Sequence, residues 1–185
     1  SQTIAISYHW GIDLVIGTLD VATAFDTMNH DHLTKALLHR GMHPNLVRAL
    51  LREVSFTKCN ITLPGTATSD RFHMCTGGKQ GGVETPEEFN IMMEYVLQPL
   101  VNSWKSRRMG FCLGEHDEHP LSHLIWADNV ILLAKCPREF IQMAQELTDA
   151  IYAIGFTWKL SSLECMLSGP ISKTFDGALR INTPG

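Results

Sequence analysis

The chain has no basic excess. Its 15 lysines and arginines are outnumbered by 19 acids, for a formal net charge of -4. Binders of free nucleic acid ordinarily show the opposite balance, because phosphate neutralisation supplies much of their affinity. The one local cluster, Lys105, Arg107 and Arg108, reads as a solvated helix end. No apolar run approaches the roughly 20 residues needed to span a bilayer. Residues 1–10 show neither a basic start nor a cleavage pattern, so no targeting peptide is expected. The chain also begins without Met, as a fragment or processed chain would. Its five cysteines are odd in number, widely spaced and without a CxxC pair. That argues against a cysteine-built zinc site and predicts reduced thiols in an intracellular compartment, nuclear or cytoplasmic, rather than secretion. Repeats, low-complexity tracts and long linkers are absent. What remains is 185 residues, 44% apolar and 18% charged, enough for one globular domain with a real core.

Periodicity predicts an α+β fold, helices packed on one face of a mainly antiparallel sheet. Leu14 to Leu19 reads as a buried strand ending at Asp20. Asp31 is expected to cap a helix bearing Leu33, Ala36, Leu37 and Leu38, stopped near Gly41. Pro44 then opens a helix with Leu46, Val47, Leu50 and Leu51 at helical spacing. Residues 57–74 alternate around Pro64-Gly65 as a hairpin. A long helix is predicted over about 86–104, with the stripe Phe89, Met92, Met93, Val96, Leu97 and Leu100. A strand near 109–113 follows, then two apolar arms over 121–134 interrupted by Asp128-Asn129. A helix opened by Pro137 and ended by Gly155 comes next, and then a last hairpin over 156–167.

Three short segments suggest chemistry. Leu19-Asp20-Val21-Ala22-Thr23-Ala24-Phe25-Asp26 and Ile125-Trp126-Ala127-Asp128-Asn129 each put an acid at the tip of an apolar strand. Such a carboxylate near a core needs a partner, a hydrogen bond or a metal. Gly77-Gly78-Lys79-Gln80-Gly81-Gly82 allows close backbone approach to a ligand and leads into a helix N-terminus, which favours anions. Two acids on neighbouring strand ends can hold a pair of divalent metals, a standard arrangement for nucleotidyl transfer.

These residues resemble the palm of a reverse transcriptase, the RNA-directed DNA polymerase of retrotransposons without long terminal repeats. Asp20 to Asp26 matches the family's first catalytic block. Gln80-Gly81, Thr85-Pro86 and Phe89-Asn90 match its glycine block, and Trp126-Ala127-Asp128-Asn129 matches three of four positions in its third. Gly155 to Met166 can be laid on the fourth, so the resemblance covers roughly residues 12–168. It implies a palm with partial fingers and no thumb over 1–168, followed by a C-terminal tail over 169–185. Asp20, Asp128 and Asn129 take the catalytic positions, and Asp20 and Asp128 would bind Mg2+ or Mn2+. The Val21 carbonyl would complete the shell, Phe25 would exclude a 2′-hydroxyl and so favour deoxynucleotides, and Gln80 and Gly81 would line the nucleotide and template pocket. An RNA template, a DNA primer and dNTP are the implied partners, with fingers and thumb supplied by a parent chain.

The sequence departs from the family at Asn129, an amide where a second acid is usual, and at Ser162, where the fourth block has a lysine that protonates pyrophosphate. Lys159 is the conceivable substitute. These departures keep a second class open, a catalytically inactive, reverse-transcriptase-derived module held in a larger protein complex. A nucleotidyl cyclase would share the two acids but leave Gln80-Gly81 and Thr85-Pro86 unexplained. His116, His119 and His123 have loosely metal-like spacing, but an exposed loop is the simpler reading.

Overall fold

The computed structural model describes residues 2–55, 58–62, 64–65, 68–74, 76–79, 82–114 and 120–184. Two compact units divide the chain, Ser1–Ala22 with Val96–Gly185, and Thr23–Tyr95.

The first unit is built on a four-stranded antiparallel sheet. Its strands are β1 (Leu14–Asp20), β4 (His123–Trp126), β5 (Asn129–Ala134) and β6 (Glu164–Ser168), in the order β4-β5-β1-β6. β2 (Lys58–Cys59) and β3 (Phe72–His73) belong to the other unit. On β1, Val15, Gly17 and Leu19 are buried while Ile16, Thr18 and Asp20 are partly exposed, the period-2 alternation of a strand with one face on the core. Helix α5 (Pro137–Ala153) packs on β5 and β1, with Phe140, Met143, Ala144, Leu147 and Ile151 buried. The Phe140 ring lies directly over Gly17, so any larger residue at 17 would run into it. Pro137 sits at the first helical position, where its missing N–H costs nothing. Gly155, at φ +89°, ends the helix as its position predicts.

A smaller cluster of Leu14, Phe111 and Leu133 gathers Ile6, Ile16, Leu121 and Ile131 around it. Ile6 belongs to an N-terminal helix, α1 (Gln2–Trp10), that periodicity did not suggest. Trp104 is fully buried, its indole N–H donating to Glu146 (2.7 Å), which also accepts from the two terminal guanidinium nitrogens of Arg107. Two expectations are corrected here. Residues 109–113 form only an isolated bridge, Phe111 to Leu121. Residues 156–167 are not a hairpin: Trp158 bridges to Val21, a 3-10 turn covers Leu160–Ser162, and β6 pairs with β1 instead. Pairing with a central strand more than 140 residues away outcompetes the local partner, because β1 would otherwise leave an edge unpaired.

The second unit holds α2 (His30–His39), α3 (Pro44–Ser55), the short antiparallel pair β2 (Lys58–Cys59) and β3 (Phe72–His73), and residues Thr85–Tyr95 of α4 (Thr85–Ser106). The cap of α2 is Asn29, not Asp31. The Asn29 side chain accepts from the backbone N–H groups of Asp31 (2.9 Å) and His32 (3.1 Å), and Asp31 lies in the first turn. Leu33, Ala36 and Leu37 are buried, but Leu38 is 44% exposed, off the stripe. On α3 only Val47 and Val54 are buried, and Leu46 faces solvent. Helix α4 runs as one element through Pro99 and buries Phe89, Met92, Met93, Val96 and Leu97.

Among the described residues Cys112, Cys136 and Cys165 carry free thiols, and no helix is long and apolar enough to cross a membrane.

Candidate active site

The end of β1 is clamped from both sides. The Val21 N–H donates to the Asp128 carbonyl (2.9 Å), the Ala22 N–H to the Thr157 carbonyl (2.8 Å), and the Lys159 N–H to the Asp20 carbonyl (2.8 Å). Asp20 is therefore held at the last strand position with little freedom to drift.

On one side, Asp20 is the register partner of Asn129, and Asn129 that of Trp126. Directly opposed residues share a face, with Cβ atoms about 5 Å apart. The row Trp126, Asn129, Asp20 thus crosses three strands. Only Ala127 and Asp128 separate β4 from β5. Ala127 takes φ +53°, the left-handed region that a two-residue hairpin usually reserves for glycine, at a cost of about 1–2 kcal/mol. The turn therefore places a strained residue just before Asp128, as functional sites often do.

The polar groups of this corner are unevenly satisfied. Asp20 is one-fifth exposed, and its Oδ2 lies 3.5 Å from the Lys159 ammonium. The Asn129 Oδ1 is buried with no hydrogen-bond partner. A buried acceptor left unpaired costs about 1–3 kcal/mol, so the corner calls for a donor or a cation.

No group of three or more His, Cys, Asp or Glu side chains placed to hold a metal occurs among the described residues. The side-chain donors at this corner are all oxygen: the Asp20 carboxylate, the orphaned Asn129 amide paired with it across the sheet, and Asp128 in the adjoining turn. That set suits magnesium, which keeps waters and substrate phosphates in its shell, and not zinc. The residues present fit a divalent metal site completed by substrate.

Phe25 and the glycine segment meet in the second unit. The Gly77 N–H donates to the Met28 carbonyl (2.8 Å) and the Gly78 N–H to the Phe25 carbonyl (2.7 Å). Gly77, at φ +90°, lies against the Asp26 backbone, where a Cβ would have no room. The Phe25 ring is 37% exposed and braced edge-to-face on Phe89, centroids 5.6 Å apart. Thr85, at the start of α4, donates its hydroxyl to the Lys79 carbonyl (2.9 Å) and closes the loop. Gln80 and Gly81 lie outside the described residues, as do His116 and His119. His123 sits on β4, edge-on to Trp104, and burial together with Lys105 pushes its pKa down.

Sequence reasoning missed Glu88. Read as dipole chemistry in the first turn of α4, it is instead 3% exposed, and neither carboxylate oxygen has a hydrogen-bond partner. Burial, then Glu84, raise its pKa, and His30 opposes them. The neighbouring motif residue Phe89 faces the core, and position 88 packs beside it; nothing in the local pattern marks that.

The family profile described as Reverse transcriptase (RNA-dependent DNA polymerase) matches residues 10–167. The chain belongs to the reverse transcriptase family.

Among curated relatives, the Retrovirus-related Pol polyprotein from type-1 retrotransposable element R2 of Popillia japonica is 27% identical over 116 residues, in keeping with the non-LTR type. That match covers 63% of this reverse transcriptase chain and 18% of the relative, so the chain spans less than a fifth of its length. Solved structures share the fold. Apo telomerase from Candida Tropicalis, truncated from its C-terminal domain, superposes with a TM-score of 0.63 at 10% identity, over 85% of this chain and 31% of that one. Telomerase from Candida albicans, in complex with a fragment of telomeric RNA, gives 0.65 at 9% identity, over 92% and 30%.

Proposed function

We propose that this chain is the catalytic palm of an RNA-directed DNA polymerase, residues 1–168 being palm with partial fingers and 169–185 a tail. The observation that supports the reading most is the corner where Asp20 pairs with Asn129 and the Val21 N–H binds the Asp128 carbonyl. It brings the first and third motifs together across more than 100 residues of sequence.

Asp20 and Asp128 would hold Mg2+ or Mn2+, with the Val21 carbonyl and the Asn129 amide oxygen as neutral donors. The metals, when bound, would activate the primer hydroxyl and neutralise charge on the departing pyrophosphate. The chain's own residues do the positioning. The clamp on Val21 and Ala22 fixes Asp20, and the hairpin turn fixes Asp128. Phe25, braced by Phe89, presents a rigid ring that excludes a 2′-hydroxyl by volume. Gln80 and Gly81 would line the nucleotide and template pocket. Asn129 costs the site one negative charge but keeps an oxygen donor, so it weakens the site without removing it. RNA template, DNA primer and dNTP are the proposed ligands.

The test is primer extension by the protein in its natural chain context, with Mg2+, dNTP and a DNA primer on an RNA template. Extension that tracks template sequence supports the reading. Absence of extension under conditions where an Asn129→Asp variant extends would instead favour the inactive module.

A further inference from the structure

The corner that holds Asp20 contains a cation of its own. The Lys159 ammonium lies 3.5 Å from the Asp20 Oδ2. Its backbone is fixed there by the N–H donated to the Asp20 carbonyl, and the adjacent Trp158 bridges to Val21. The Lys159 carbonyl accepts from both the N–H (2.9 Å) and the hydroxyl (2.8 Å) of Ser162, which folds the chain into the 3-10 turn that follows. The Lys159 stem therefore starts from one fixed point beside the carboxylate.

The two ends of the pair differ. The Asp20 side chain is 20% exposed and the Lys159 side chain 59%. Asp20 is committed to the site, whereas Lys159 can swing its charged head into water at little cost. Asp128 brings a second negative charge onto the neighbouring strand end, and Asn129 brings none. With Lys159 in place the corner keeps a single net negative charge, a poor site for a divalent cation. With Lys159 withdrawn it has two.

We propose that Lys159 is a resident counter-ion of Asp20, which it neutralises in the metal-free protein and which a divalent cation must take from it. This rests on the reading of Asp20 and Asp128 as metal ligands. It makes Lys159 a brake on metal affinity, and it gives the ammonium a place beside the site once displaced.

The experiment is Mn2+ binding, by calorimetry and by the electron paramagnetic resonance of free Mn2+, to the protein in its natural chain context. Wild type is compared with Lys159→Met, Lys159→Gln, Lys159→Arg and Asp20→Asn. An exposed pair of this kind is worth a factor of up to about five in affinity. The Met and Gln variants should bind Mn2+ several-fold tighter, Lys159→Arg should stay at the wild-type value, and Asp20→Asn should lose the site. Unchanged or weaker binding in both neutral variants, or no binding in either, overturns the proposal. If binding still depends on Asp20, only the role of Lys159 falls. If Mn2+ binds equally well to Asp20→Asn, the metal-ligand reading falls and takes this proposal with it.

Discussion

Replacing Glu88 by methionine should stabilise this protein, and more so as pH rises. Glu88 is 3% exposed, and neither carboxylate oxygen has a hydrogen-bond partner. An unsatisfied buried polar group costs about 1–3 kcal/mol, and more when charged. Against this stands the position of Glu88 in the first turn of α4, where a negative charge gains about 0.3–1 kcal/mol from the helix dipole. Burial wins. Methionine matches the stem in length and removes both orphaned atoms. The net gain should be about 1–2 kcal/mol, or a few degrees in Tm at about 2–4 °C per kcal/mol for a chain of this size. The pH dependence follows from the direction of the shift. Burial and Glu84 raise the folded-state pKa above the ordinary 4.5. The native state therefore binds this proton more tightly than the unfolded state. The stability it contributes is complete below the ordinary value and is lost as pH rises through the raised one. Wild type should weaken over that window, and Glu88→Met should not. Urea denaturation at pH 5 and pH 8 measures both. A variant less stable than wild type at both pH values, with an unchanged slope between them, would refute the reasoning and mean that Glu88 is hydrogen-bonded after all.

Two further substitutions test other parts of the account. Phe25→Ala removes the ring braced on Phe89, so incorporation of ribonucleotides relative to deoxynucleotides should rise by about tenfold or more in steady-state competition. Gly17→Val places a branched side chain where Phe140 lies, and thermal or urea denaturation should show a loss of about 1–3 kcal/mol.

Some of this architecture was legible in the sequence. The strand ending at Asp20 and the stripes of α4 and α5 follow from local periodicity, and the structure has them where the pattern puts them. The hairpin was legible too, but its turn is Ala127-Asp128, one residue before the polar tip Asp128-Asn129 that the pattern marks, because Asn129 already pairs with Trp126 and Asp20. The three-strand row that sets Asp20 beside Asn129 was legible only through motif resemblance, since no local pattern encodes which strands pair. The same limit explains the misread segment after Gly155. Phe156 to Leu167 looks like a hairpin by alternation, but β6 takes its partner from β1, far away in sequence. Asn29 displaces Asp31 as a cap because both are competent residues two positions apart, and spacing does not choose between them. Glu88 and the Lys159–Asp20 pair were invisible for a further reason: burial and ion pairing at single positions are tertiary facts.

The central claim is that Asp20 and Asp128 act as one catalytic unit. Single-turnover incorporation of one deoxynucleotide, by the protein in its natural chain context, tests it with Asp20→Asn, Asp128→Asn and the double variant. Groups that act together are strongly non-additive. Each single change should remove nearly all incorporation, and the double variant should be hardly worse than either. A single variant that retains incorporation near the wild-type rate would contradict it.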